Sequence, residues 1–205
     1  MEGTASMPGE AKVTTVLLCG VGGQGTILAA HLLAQVALDC GLDVKVSEIH
    51  GMAQRGGAVT TVVRFGADVG SMVCDEGGAD CVVSFELIEA LRNIPYLREG
   101  GSLVVSDELI EPMSVATGKA QLPADPRKAL AEAGALLVPA DQLAREAGSP
   151  KASNVALLGA LSASLPFAVE AWQEAVRAHV PPKTVDINLK AFADGRAFAD
   201  MGSGR

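Results

Sequence analysis

Short apolar runs alternate with longer stretches whose apolar residues recur every three or four positions, and this alternation sets the expected architecture. Residues 13–19 are almost continuously apolar and stop at a glycine-rich turn, the pattern of a strand covered on both faces. Residues 26–40 follow with Leu28, Leu32 and Val36 on one helical stripe, Ile27, Ala34 and Leu38 beside it, and Gly41 as a C-terminal stop. Strands are predicted at 44–49 and 58–65, the second β-branched and suited to antiparallel pairing. A buried strand is expected at 81–85, then a helix over 86–98 kinked or broken at Pro95 and ended by Gly100 and Gly101, then a strand at 103–106. Residues 107–127 carry Pro112, Gly118, Pro123 and Pro126 and read as irregular. A short helix (128–133), a strand (135–138) and a helix (141–147) complete the alternation. Beyond Gly148-Ser149-Pro150 the chain reads as all helix, at 154–165, 167–179 and 184–194. The uncharged stretch 155–169 contains Ser162, Ser164 and Pro166 and reads as a buried helix and the start of another, not as a membrane span of about 18 or more apolar residues.

Strands alternating with helices give an α/β chain: a three-layer Rossmann-like sandwich with a mostly parallel, mixed sheet and a helical C-terminal segment. One domain is expected over 12–195, with loose, polar termini at 1–11 and 196–205. In such sheets ligands and partners meet the loops beyond the carboxyl ends of the strands. Residues 20–25, residues 48–57 and Glu86 all follow predicted strands, so they should gather on one edge.

Composition narrows the function classes. Of 205 residues 49% are hydrophobic but only 3% aromatic, so the core is expected to be built from Ala, Val, Leu and Ile. A net charge of −8 argues against nucleic acid or an anionic membrane as partner, since both call for basic surface. Residues 1–10 are small, polar and acidic, with no apolar secretory segment, and a cytoplasmic location is expected. Cys19, Cys40, Cys74 and Cys81 are scattered and form no Cys-x-x-Cys. They read as reduced small hydrophobes, not as a cluster or zinc site held by this chain alone.

Two strings carry the candidate chemistry. Gly20-Val21-Gly22-Gly23-Gln24-Gly25 joins the first predicted strand to the first predicted helix and satisfies the spacing of a dinucleotide-binding turn, with Glu48 near the position of a ribose-binding acid. The same glycines also suit a tight turn with close packing, and both readings stand at this point. Ser47-Glu48-Ile49-His50-Gly51-Met52-Ala53-Gln54-Arg55-Gly56-Gly57 is the rarer string. Arg55 can grip a carboxylate or phosphate in a bidentate fork, or pair with Glu48 to fix the loop. His50 reads as a hydrogen-bonding group, His31 as structural, and His179 as a cation suited to a helix C-terminus. Asn154 is expected to cap the helix that follows, with an amide turned toward the loops as the other reading.

Taken together, Gly20–Gly25, residues 47–57, Ala79-Asp-Cys-Val-Val-Ser-Phe-Glu86 with Glu89 and Ala90, Ala152-Ser-Asn154 through Leu161, and Asn188-Leu-Lys-Ala-Phe192 resemble the γ-type subunits of the 2-oxoacid:ferredoxin oxidoreductases, in order over roughly residues 12–195. The likeness is closest to the indolepyruvate-type members. It implies oxidative decarboxylation of an arylpyruvate such as indolepyruvate to an acyl-CoA, with ferredoxin as electron acceptor and coenzyme A as co-substrate. It places thiamine diphosphate, Mg and [4Fe–4S] clusters on a larger partner subunit, with none of them bound by this chain alone. It further implies supporting catalytic roles in the complex for Glu48 and Arg55. Gly20, Gly22, Gly23, Gln24, Gly25, Gly56 and Gly57 would lie against the cofactor or partner, with Glu86 at the rim. A stand-alone Rossmann-type nucleotide-binding protein is the alternative.

Overall fold

The computed structural model describes residues 13–50 and 57–202. Strand β1 (Thr14–Val21) leads through the glycine turn into helix α1 (Thr26–Asp39) and strand β2 (Asp43–His50). Strand β3 (Ala58–Gly66), strand β4 (Ala79–Ser84), helix α2 (Leu87–Asn93) and strand β5 (Leu97–Ser106) follow. Then come helices α3 (Met113–Ala116) and α4 (Pro126–Glu132), strand β6 (Leu136–Val138) and helix α5 (Ala140–Ala147). Helices α6 (Ser153–Ser162), α7 (Val169–His179) and α8 (Val185–Gly202) end the chain.

The strands form one six-stranded sheet in the order β2-β3-β1-β4-β5-β6. β3 runs antiparallel to both β1 and β2, while β1, β4, β5 and β6 pair in parallel. From central β1 the chain builds first toward β2 and β3, then crosses to β4, β5 and β6. The point of reversal, between the carboxyl ends of β1 and β4, is where such sheets open a crevice.

The apolar run of β1 works because successive side chains face opposite layers. Val16 and Leu18 join a core with α1, α5, α6, α7 and α8, whereas Leu17 and Cys19 join a second core with Leu87 and Ala90 of α2 and Leu130 of α4. β5 splits the same way, Val104 to the first core and Leu103 and Val105 to the second. The result is the expected three-layer α/β sandwich. The few aromatics are concentrated, not dispersed: Phe65, Phe167, Trp172 and Phe192 form a run of ring contacts 5.2 to 6.0 Å between centres. The aliphatic core therefore has an aromatic spine where α7 and α8 close over the sheet.

Gly41 stops α1 as its sequence position suggested. It stands at φ 78°, with its N–H on the Leu38 carbonyl and the Leu42 N–H on the Ala37 carbonyl. Three expectations need correcting. The predicted helix over 86–98 does break around Pro95, which lacks the N–H a longer helix would use, but it does not resume: it ends at Asn93, makes a single 3-10 turn at Ile94–Tyr96, and Leu97 begins β5. Gly100 and Gly101 then lie inside β5 instead of ending a helix, and Gly101 is needed because a Cβ there would come within 2.9 Å of the Asp80 carbonyl oxygen on β4. The segment expected as a loose terminus from 196 is helical to Gly202, since Phe198 and Ala199 pack against the first core. Residues 1–11 lie outside the described residues. No helix among the described residues is long and apolar enough to cross a membrane.

Candidate site at the carboxyl edge of the sheet

The glycine turn is held by the side chain of Gln24, half-buried beneath the loops. Its Oε1 accepts the Val21 N–H at 2.7 Å, while its Nε2 donates to the Phe85 carbonyl at 2.8 Å and reaches Glu108 Oε2 at 3.4 Å. Gln24 thus spans the crevice between β1 and β4 and joins three loops. Gly20 is required by this arrangement, because a Cβ there would lie 2.8 Å from both Gln24 Oε1 and Phe85 Cβ. The Gly22 N–H donates to the Gly57 carbonyl at 2.9 Å, tying the glycine turn to the end of the second motif. Gly23 is exposed at φ 108°, with open space where a side chain would stand. Gly25, at φ 81°, is the residue before α1.

Asn154 is not the N-cap residue of α6 but lies in its first turn. Its Oδ1 accepts the Val155 N–H at 2.9 Å while its Nδ2 donates to the Gly25 carbonyl at 3.3 Å across the layer. A Cβ on Gly25 would fall 2.5 Å from that Nδ2, so a glycine and an asparagine 129 positions apart form one contact. The one side chain thus does both things expected of it: its oxygen satisfies a first-turn N–H of the helix and its amide nitrogen turns toward the glycine loop.

Glu86 does not sit at the rim. It is buried and serves as N-cap of α2, its carboxylate accepting the N–H groups of Ile88, at 2.8 Å, and Glu89. Burial pushes the Glu86 carboxyl above its ordinary range, against the lowering effect of those backbone bonds. Glu48 stands exposed on edge strand β2, in register with Thr61. Arg55 and Gly56, and with them the anticipated Glu48–Arg55 pair, lie outside the described residues. Gly57 is described and supplies the carbonyl that anchors Gly22. Gly20, Gly22, Gly23, Gln24, Gly25, Gly57 and Glu48 thus lie toward one end of the sheet.

Sequence reasoning missed Glu108. It follows β5 by two residues, and its carboxyl is raised by burial and then by the nearby Asp141. With Gln24, Phe85, Ser106, Asp141 and Leu157 it lines a cleft of about 190 Å³ beneath the glycine turn. An acid just past a strand's carboxyl end was the available clue, hidden in a segment read only as irregular. A larger cavity, about 630 Å³, lies along β5, β6 and the end of α8, and none of the candidate residues lines it. Position, not size, marks the site here, because the smaller cleft adjoins the crevice at the sheet's reversal point.

The edge is built of backbone donors, amides and acids. The described cysteines are not suited to hold a cluster: they sit on separate elements, and burial raises the thiols of Cys19 and Cys81 to about 12 and about 11. Among the described residues no group of three His, Cys, Asp or Glu could hold a metal ion. The glycine turn's features are likewise met from within, since the Gly22 amide and the groove over Gly20 are already occupied by Gly57 and Gln24.

A six-stranded mixed sheet between two helical layers is the fold this chain shares with a small, γ-type oxoacid oxidoreductase subunit. The structure resembles the keto/oxoacid ferredoxin oxidoreductase gamma subunit of Geobacter sulfurreducens, with a TM-score of 0.68 and 26% identity over 92% of this chain and 99% of that one. Residues 15–198 match the pyruvate ferredoxin/flavodoxin oxidoreductase family, and the chain belongs to it. Among curated relatives it is 44% identical to the indolepyruvate oxidoreductase subunit IorB of Thermococcus kodakarensis, over 90% of this chain and 95% of the relative. It is 43% identical to the subunit of the same name in Pyrococcus horikoshii, over 88% and 93%. It is accordingly a subunit of a 2-oxoacid:ferredoxin oxidoreductase.

Proposed function

We propose that this chain is the small subunit of a cytoplasmic indolepyruvate:ferredoxin oxidoreductase and that its carboxyl-edge loops complete an active site on a larger partner. The observation that carries the reading is the joining of the two motif loops through the Gly22 N–H and the Gly57 carbonyl. That bond makes one continuous surface of residues 20–25 and the end of the 47–57 string. Relatives that match nearly full length and are named for indolepyruvate support the substrate. Thiamine diphosphate with Mg, and the [4Fe–4S] clusters that deliver electrons to ferredoxin, belong to the partner in this reading. When bound there, they supply the decarboxylation and the redox chemistry. Coenzyme A accepts the acyl group.

This chain's residues position and exclude. Exposed Gly23 lets the partner's surface approach backbone closely. Glu48 supplies charge at the same edge, and Arg55 is assigned the role of a fork for the substrate carboxylate. Gly56 and Gly57 bring no side chains of their own. A free-standing nucleotide-binding role is not favoured, because packing accounts for Gly20 and Gly25 and the Gly22 amide is already bonded to Gly57.

The test is co-expression with the large subunit. The isolated chain should show no turnover with indolepyruvate, coenzyme A and an electron acceptor, and the complex should turn over. Arg55→Ala should reduce turnover at least tenfold while the complex still co-purifies. Activity from the lone chain, or isolation of the chain with tightly held nicotinamide or flavin, overturns the reading. Loss of assembly with no change in the activity of whatever complex forms makes Arg55 an interface residue only.

A further inference from the structure

Two of the chain's three histidines meet on the surface of the helical layer. His31 projects from α1 and His179 is the last residue of α7, and both are exposed. Their ring centres are 5.4 Å apart and the ring planes meet at 62°. His179 Nδ1 lies 2.9 Å from the carbonyl oxygen of Ala175, one turn earlier in its helix. A carbonyl oxygen only accepts, so in the neutral ring Nδ1 carries the hydrogen and Nε2 keeps the lone pair. A backbone carbonyl holding the far nitrogen is how imidazole ligands are commonly oriented at metal sites.

The spacing fits the same use. A metal–nitrogen bond of about 2.0–2.1 Å puts a ring centre about 3.2 Å from the ion, so two rings at a tetrahedral angle stand about 5.2 Å apart, against the 5.4 Å found. We propose that His31 and His179 form a two-imidazole site for a borderline divalent transition-metal ion, with water completing the coordination. Zn²⁺, Ni²⁺ and Cu²⁺ are the class that imidazole suits. Such an ion would pin α1 to α7. Because α1 begins directly after Gly25, the site would brace the helix that follows the glycine turn.

The experiment uses the full chain without an affinity tag, in a Cys40→Ser background, because the exposed Cys40 thiol just past the end of α1 could itself take up metal. Calorimetric titration with NiCl₂ should show one ion per chain. His31→Ala and His179→Ala should each weaken binding tenfold or more, and His50→Ala should leave it unchanged. Zn²⁺ should shift the imidazole NMR signals of His31 and His179 together. If His179→Ala unfolds the end of α7, exposed His31→Ala alone decides the matter. Absent binding, or binding that is the same in His31→Ala, overturns the proposal and leaves an edge-on aromatic pair only.

Discussion

Glycine does two different jobs in this molecule, one in the helical layer and one at the carboxyl edge. Where α6 crosses α8, Gly159 and Gly195 let backbone meet backbone. A Cβ on Gly195 would stand 1.9 Å from the Ala156 carbonyl oxygen, and one on Gly159 would stand 2.1 Å from that of Phe192. Neither helix can yield there without moving apart. At the edge, the atoms facing Gly20 and Gly25 include the side-chain ends of Gln24 and Asn154, which can rotate. The first pair of glycines secures a fixed helix crossing and needs no ligand to explain it. The second group seats two amides and so arranges donors and acceptors on the loops. An apolar crossing is specified by volume, a polar edge by hydrogen bonds.

The sharpest way to break this contrast is at the crossing. Gly195→Ala should destabilise the chain by about 3 kcal/mol, because overpacking against backbone finds no rotamer to relieve it. Urea unfolding measures this, and a loss below about 1 kcal/mol would mean that the crossing is softer than its geometry indicates. Gly25→Ala should cost less, about 2 kcal/mol, combining left-handed strain with displacement of Asn154. A paired Asn154→Ala change should recover the packing share of that loss but not the strain. If it recovers nothing, the Gly25–Asn154 contact is not what makes glycine necessary.

The smallest effect is electrostatic. The Glu108 carboxyl is raised in the folded chain, chiefly by burial and then by Asp141. A raised carboxyl means that the folded state holds its proton more tightly than the unfolded one. Stability from that source is fully present below the ordinary value of 4.5 and is lost as pH rises through the folded value. Glu108→Gln keeps an acceptor for Gln24 but cannot ionise. Its melting temperature should therefore gain on the parent as pH rises from 4.5 through the folded value of the Glu108 carboxyl, and the gain should level off beyond it. A difference that stays constant with pH would remove Glu108 from the account.

Most of the sheet could be read from the chain because β1 and β4 are apolar on both faces, and only a central strand requires that. β1 outruns its apolar stretch since Gly20 and Val21 still pair with Val59 and Ala58, a partner that the local pattern cannot reveal. Residues 97–101 show no alternation, and their strand is set by pairing with Ala79. At the edge, the motif residues told where to look but not how they are joined. Glu86 looked like a surface acid, yet two backbone N–H groups draw it inside as a cap. The service of Asn154 to the first turn of α6 was legible locally, whereas its bond to Gly25 depends on how α6 lies over α1, which is a property of the assembled layers.

The Gly22–Gly57 hydrogen bond makes mechanical partners of two segments 35 positions apart in the chain. Grafting either loop alone onto a foreign scaffold would strand an amide or a carbonyl without its mate, at a cost of about 1–3 kcal/mol if buried. Transplanted as a couple, they would bring their own fastening.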